Sequence, residues 1–336
     1  MPIDPLALAR QLIDIPSPTG EELAVGNHLF DELTRLGFTC RKQEAAPDRF
    51  NILASAGGHP RVVLNTHIDT VPPWFASYDD DEFIYGRGAC DTKGIIAAMI
   101  AAAERLRADR IDNFALLLVV GEETDSIGAK SANVAFKDLG SDYVLVGEPT
   151  ESKFARASKG ALTAFVGFEG IAAHSAYPHL GDSAINKMVA AIAEINRADW
   201  GHDDILGKAT VNIGVVKGGV KPNIIAAEAE CQCMFRLVTT PEDVRARLEM
   251  IIGPHDGKIT WTHGNPPQHM IVPEGADSTI VAFNTDVPHL GALGKPLLYG
   301  PGSILDAHGA HEKIGKKDLL NAVDVYYDTV ATLCRS

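Results

Sequence analysis

Basic charge is scarce in this chain: its 336 residues carry 30 Lys and Arg against 44 Asp and Glu, a formal net charge of −14. A surface of that sign repels a phosphate backbone and an anionic bilayer, which argues against nucleic-acid and membrane-surface partners. Cysteine is also scarce, with Cys40, Cys90, Cys231, Cys233 and Cys334 making five. A low, odd count excludes a disulfide framework and implies reduced thiols in a cytoplasmic setting. The Cys231-x-Cys233 spacing is too tight for a zinc knuckle and has no partner pair; on a strand both thiols face one side and are expected to be buried. Long apolar runs are missing. The longest, GIIAAMIAAA from Gly94 to Ala103, is far short of the roughly 20 residues that span a bilayer. Asp4, Arg10 and Asp14 interrupt the first apolar pattern, which therefore lacks the form of a secretory leader. Repeats, linkers and low-complexity tracts are absent.

What is present is ordinary globular material, 46% hydrophobic and 22% charged. At roughly 150 residues per domain, the length implies about two domains. The first stretch alternates helix and strand patterns: helices over 5–14 and 20–36, strand RVVLNT (61–66), an Ala-rich helix over 92–106 with Asp91 as its N-cap, strand FALLLVV (114–120) and strand YVLV (143–146). Strands this apolar are covered on both faces, which predicts a mostly parallel sheet between helices. The texture changes near Gly160. Strand (162–168), helix (182–197), strands (210–216 and 226–237), a helix capped by Thr240 (241–252) and strand (258–262) give the β-α-β-β-α-β order of a ferredoxin-like domain. After Pro266 a helix over 278–290, strand 296–299 and a final helix over 316–333 restore the α/β pattern. The expected architecture is α/β, with a discontinuous catalytic domain (1–159 and 266–336) and an inserted domain (160–265).

Acidic or His-bearing motifs follow the apolar strands. RVVLNT runs into His67 and Asp69, FALLLVV into Glu122 and Glu123, and YVLV into Glu148; PLLY leads through Gly300-Pro301-Gly302 to His308, and Asp91 precedes its helix. Open α/β sheets bind ligands at the carboxyl ends of their strands. Imidazoles and carboxylates gathered there fit a two-metal hydrolytic site supplied by His67, Asp91, Glu123, Glu148 and His308. Asp69, two residues beyond His67, can orient that imidazole. Glu122 and Glu123 are adjacent and point in opposite directions on an extended chain, so one can ligate while the other serves as general base.

THIDTVPP, GRGACDTKG, GEETDSIGAK, GEPT and GPGSILDAHGAHE resemble the motifs of the M20 metallopeptidases, the clan of acetylornithine deacetylase, succinyl-diaminopimelate desuccinylase and aminoacylase. GIAAHSAYP and GGVKPNIIAAEAECQCMFR resemble the His and the Asn/Arg motifs of the clan's inserted lid and dimerisation domain. The resemblance runs from Pro16-Ser17 to Glu312. It implies a zinc-peptidase-like fold and a homodimer formed through the inserted domain. It also implies two Zn²⁺ ions, for which Co²⁺ or Mn²⁺ can substitute. Asp91 would bridge the ions, His67 and Glu148 would hold one, Glu123 and His308 the other, and Glu122 would be the base. His174 would face the reaction intermediate from the partner subunit. Asn223 and Arg236 would hold substrate polar groups and carboxylate, and Gly302 would bring backbone near the substrate. The chain departs from the family pattern at Ala310-His311, where Pro-Asp is usual, so His311 competes with His308 as ligand. The implied activity is hydrolysis of the amide of an N-acyl amino acid. N-acetylornithine is the first choice; succinyl-diaminopimelate, acetylcitrulline, acetyllysine and, less so, dipeptides are alternatives. His179, His202, His255, His263, His269 and His289 are read as structural or exposed.

Overall fold

The structure is a computed structural model and describes residues 2–262 and 264–335, so His263 lies outside the described residues. A first unit takes the chain up to Arg156, then His269–Thr279 and the chain from Thr285 on; a second takes Ala157–Gln268 and Ile280–Asn284. In the first unit come helices α1 (Pro5–Ile13) and α2 (Leu23–Arg35), strands β1 (Thr39–Ala46), β2 (Arg49–Ser55) and β3 (Val62–His67), helix α3 (Gly94–Ala108), strand β4 (Phe114–Val119), helix α4 (Ile127–Ala135) and strand β5 (Tyr143–Val146). The second unit supplies β6 (Gly160–Glu169), α5 (Ala184–Arg197), β7 (Thr210–Gly218), β8 (Glu228–Leu237), α6 (Pro241–Ile252) and β9 (Gly257–Trp261). The chain ends in the first unit with β10 (Lys295–Leu298) and α7 (Lys316–Arg335).

The first unit is built on a six-stranded sheet of order β1-β2-β4-β3-β5-β10. β3 runs parallel to β4 and β5, and β10 parallel to β5. The β1–β2 hairpin adds an antiparallel edge beside β4. Every residue of β3 and β4 is buried, as strands covered on both faces require. The apolar run Gly94–Ala103 is the buried body of α3. Its alanines let α1 and α7 pack closely against it, and it reads as apolar all round because it is surrounded. Among the described residues no helix is long and apolar enough to cross a membrane.

The second unit is an antiparallel sheet of order β7-β8-β6-β9, the ferredoxin-like arrangement the element order predicts. Alternate residues of β6 (Leu162, Ala164, Val166, Phe168) and β8 (Cys231, Cys233, Phe235) form one core with Met188 and Ile195 of α5 and Leu248 of α6. Cys231 and Cys233 are buried, and all five cysteines are free thiols. Thr240 caps α6 through a reciprocal box with Asp243.

Two local expectations are corrected. Residues 278–290 are not a helix: Ser278–Val281 is a strand and only Val287–His289 makes a short 3-10 turn. Ser278–Val281 instead pairs beside Phe154–Ser158 in a small sheet, and Pro288, with no N–H to donate, disfavours an α-helix in the turn before it. Asp91 is not an N-cap either: Lys93 occupies that position, and Asp91 sits two residues earlier with non-helical angles (φ −126°, ψ 80°).

Candidate metal centre and active site

The carboxyl ends of β4, β3, β5 and β10, adjacent in the sheet, each release a loop that carries ionisable side chains. His67 is the last residue of β3 and is 1% exposed. Its Nε2 lies 3.0 Å from Asp91 Oδ1. The other Asp91 oxygen, Oδ2, lies 3.2 Å from His308 Nε2, and His308 Nε2 also lies 3.0 Å from Glu123 Oε2. One buried carboxylate thus faces two imidazoles through separate oxygens, the arrangement a carboxylate shared by two cations requires. His308, half exposed, makes these contacts, and His311 does not. His308 adopts φ 60°, a left-handed conformation that costs an ordinary L-residue about 1–2 kcal/mol.

Two overlapping sets of side chains could hold a metal ion: His67, Asp91 and Glu123, and His67, Glu122 and Glu148, with ligand atoms in each set within 4.8 Å of one another. Glu122, expected as the base, therefore also lies within ligand reach of one set. The chemistry of the cluster fits cations. Glu123 Oε1 is buried with no hydrogen-bond partner among the described residues. Glu122 and Glu148 are held well above the usual carboxylate range by burial and by neighbouring carboxylates. Burial also raises Glu123, against the opposing pull of His308. Burial would raise Asp91 too, but contacts with His308 and His67 outweigh it and hold Asp91 below the usual range. Burial opposes protonation of His67, yet Asp69 and Asp91 pull its pKa well up, and Asp91 and Glu123 push His308 up to about 10. Excess buried negative charge of this kind needs either protons or metal ions.

Asp69 does more than the sequence reading assigned. His67 Nδ1 lies 2.9 Å from its carbonyl and 3.5 Å from Oδ1. Its Oδ1 and Oδ2 accept from the backbone N–H groups of Glu122 (3.1 Å) and Glu123 (3.3 Å), and Thr19 Oγ1 donates to Oδ2 (2.8 Å). Burial acts to raise Asp69, and these donors with His67 hold it below its ordinary value. One buried carboxylate thereby fixes both the imidazole and the Glu122-Glu123 turn. Thr92 Oγ1 donates to the His67 carbonyl (2.7 Å) and accepts from Thr66 Oγ1 (2.9 Å), tying the Asp91 turn to β3. Thr19, Thr66 and Thr92 were not singled out in the sequence, because hydroxyls in a motif carry no signal of their partner.

Gly302 has φ 86°, and a Cβ there would meet Cys90 Cβ at 2.7 Å. Close packing against the turn that carries Asp91 therefore accounts for glycine at this position. The remaining singled-out residues belong to the second unit. His174 and Ile224 form an isolated bridge, and Ser175 N–H donates to the Asn223 carbonyl (3.1 Å), so the His174 and Asn223 segments lie side by side. His174 is exposed; its Nδ1 accepts from Ala176 N–H (3.2 Å), which leaves the neutral ring's proton on Nε2. Arg236 lies on β8 and is partly buried, which lowers its pKa; it has no ion pair among the described residues. The sequence alternative, pairing with Glu230, is not realised: Glu230 pairs with Lys217 at 3.3 Å.

Comparison with known proteins supplies the kinship. Residues 156–260 match the peptidase dimerisation domain of the M20 peptidases. The chain is 35% identical over 334 residues to a peptidase M20 domain-containing protein of Schizosaccharomyces pombe, covering 96% of this chain and 82% of that protein. The chain belongs to the M20 peptidase family. It is also 35% identical over 377 residues to a probable carboxypeptidase of Aspergillus flavus, covering 97% of this chain and 89% of that one. Among solved structures, a Staphylococcus aureus tripeptidase is similar with a TM-score of 0.83 and 24% identity over 100% of both chains. An M20 metallo-carboxypeptidase of Sulfolobus solfataricus is similar with a TM-score of 0.80 and 16% identity over 99% of this chain and 100% of that one. This M20 chain is accordingly a metal-dependent hydrolase with an α/β catalytic domain and a dimerisation domain.

Proposed function

We propose that this M20 hydrolase cleaves the amide bond on the amino side of an amino acid with a free α-carboxylate, in an N-acyl amino acid or at the C-terminus of a short peptide. The observation that carries the reading is Asp91, whose two oxygens face His67 and His308 within 3.2 Å while Glu122 stands in the same buried cluster. His67 and Glu148 would hold one divalent cation, Glu123 and His308 the other, and Asp91 both. Zinc suits this nitrogen and oxygen donor set, as do cobalt and manganese. When bound, the cations supply a Lewis acid for the amide carbonyl and lower the pKa of water.

The chain's own residues carry the rest. Asp69 holds His67 in one orientation and fixes the backbone of Glu122. Glu122, whose basicity is raised by burial, takes as its carboxylate a proton from the attacking water and returns it to the departing amine, so that acid and amine are both released. His174 offers its Nε2–H to the carbonyl oxygen, acting from the partner subunit of a homodimer. Arg236, without a carboxylate partner among the described residues, is suited to the substrate's α-carboxylate because its planar fork matches one. Asn223 and the Gly302 backbone offer polar contacts. The free thiols fit a cytoplasmic home.

N-acetylornithine gains no support from the relatives, which include a probable carboxypeptidase; that name favours peptide substrates within the same class. The test is amine release from N-acetylornithine, N-acetylcitrulline, N-acetyllysine, N-succinyl-diaminopimelate and dipeptides, each with its α-carboxylate free or amidated. Turnover should be abolished by chelation, by Glu122→Ala and by amidation. Turnover that survives amidation would overturn the carboxylate reading.

A further inference from the structure

Arg87 and Glu312 are buried charges near the centre to which the proposed chemistry gives no task. Both are 1% exposed, and Arg87 Nη1 lies 2.6 Å from Glu312 Oε2. Burying such a pair is costly unless further hydrogen bonds use its remaining atoms. Here those bonds go to the metal-centre loops. Glu312 Oε1 accepts from the backbone N–H groups of Cys90 and Asp91, each at 3.2 Å. Arg87 Nη2 reaches the His308 carbonyl at 3.5 Å, and Nε donates to the Pro73 carbonyl at 3.2 Å. Gly86 N–H in turn donates to the Glu312 carbonyl at 3.0 Å. One residue of the pair thus grips the backbone of Asp91, and the other contacts the carbonyl of His308, whose φ of 60° needs an external hold.

We propose that the Arg87–Glu312 pair is a positioning element that sets Asp91 and His308 at the spacing at which one carboxylate serves two imidazoles. The inference rests on the two-metal reading given above. Neither residue touches substrate or a cation; each acts through the backbone of a ligand. The pair also joins two segments far apart in the chain, so that the last motif closes on the turn that carries Asp91. Groups behind metal ligands commonly change affinity by about 10–100-fold when removed, without being ligands themselves.

The experiment titrates metal-stripped full-length protein with Co²⁺ alone, following its visible absorption and competition with a chelator, and records the thermal unfolding of each metal-free variant. Glu312→Gln and Arg87→Lys are compared with Leu12→Ala, a core substitution in α1 that reports lost stability alone. Wild type should bind two Co²⁺. Glu312→Gln should weaken the site containing His308 by about 10–100-fold and shift the absorption bands. Arg87→Lys keeps the charge but loses the fork, and should fall between the two. Leu12→Ala should lower the unfolding temperature and leave both affinities unchanged. If Glu312→Gln does not fold, Arg87→Lys carries the test. Wild-type affinities and spectra in both pair variants would overturn the positioning role. So would an equal loss of affinity in Leu12→Ala at a comparable loss of stability. A wild type that binds no Co²⁺ would instead overturn the two-metal reading itself.

Discussion

Glu122 and Glu123 are neighbours in sequence but have different surroundings. Glu123 contacts His308 at 3.0 Å, whereas Glu122 is grouped with His67 and Glu148 and makes no imidazole contact of that kind among the described residues. Its expected role is proton transfer. Glu122→Gln should lower kcat by about 10²–10⁴-fold while the protein still binds two metal equivalents by elemental analysis; loss of one equivalent would make Glu122 a ligand. The competition between His308 and His311 has an equally direct test. His308→Ala should cost one metal equivalent, and His311→Ala should cost none. At this scale the sequence was informative about residue types, because each strand's end delivered its acid or imidazole. It was silent about how Asp69 accepts from the backbone of Glu122 and Glu123, since those bonds depend on which strands become neighbours.

Elements were legible where their signals are local. Thr240, Pro241 and Asp243 announce the start of α6, and the structure shows Thr240 Oγ1 accepting from Asp243 N–H at 3.2 Å while Asp243 Oδ2 accepts from Thr240 N–H at 3.2 Å. Thr240→Ala should lower the unfolding free energy by about 1 kcal/mol. A denaturant midpoint shift with unchanged slope would show it, and metal content should not change. The β1–β2 hairpin went unread because β1, TCRKQEAA, is an edge strand with mixed exposure and no clean alternation. The helix expected over 278–290 failed for the opposite reason: its apolar positions imitate helical spacing, but Ser278–Val281 is taken up by strand pairing, a partner the local sequence does not show. The Asp91 turn is the most consequential miss. Propensity places Asp at a helix start, whereas here the backbone is held out of the helix by Glu312, a contact with no local sequence signature.

Over the whole molecule, the buried cluster makes stability a function of both metal and pH. In the metal-free protein His308 has a pKa of about 10, above an unfolded value of about 6.5. The stabilisation from its protonated form is therefore fully present below about pH 6.5 and is lost as pH rises towards 10. His67 is raised in the same direction by Asp69 and Asp91 once burial is overcome. Glu122 and Glu148, raised by burial and mutual repulsion, disfavour the folded state when they ionise, so they too weaken the metal-free protein as pH rises. Metal binding runs the other way, because the cations displace these same protons and bind more tightly as pH rises. A ligand that binds only the folded state adds stability in proportion to the logarithm of its concentration over its dissociation constant. The gap in unfolding temperature between metal-loaded and chelated protein should therefore widen steadily from about pH 6 to about pH 9. Scanning calorimetry at fixed free metal concentration checks it, and a gap that stays constant or narrows would show that protons and cations do not compete for the His67 and His308 cluster.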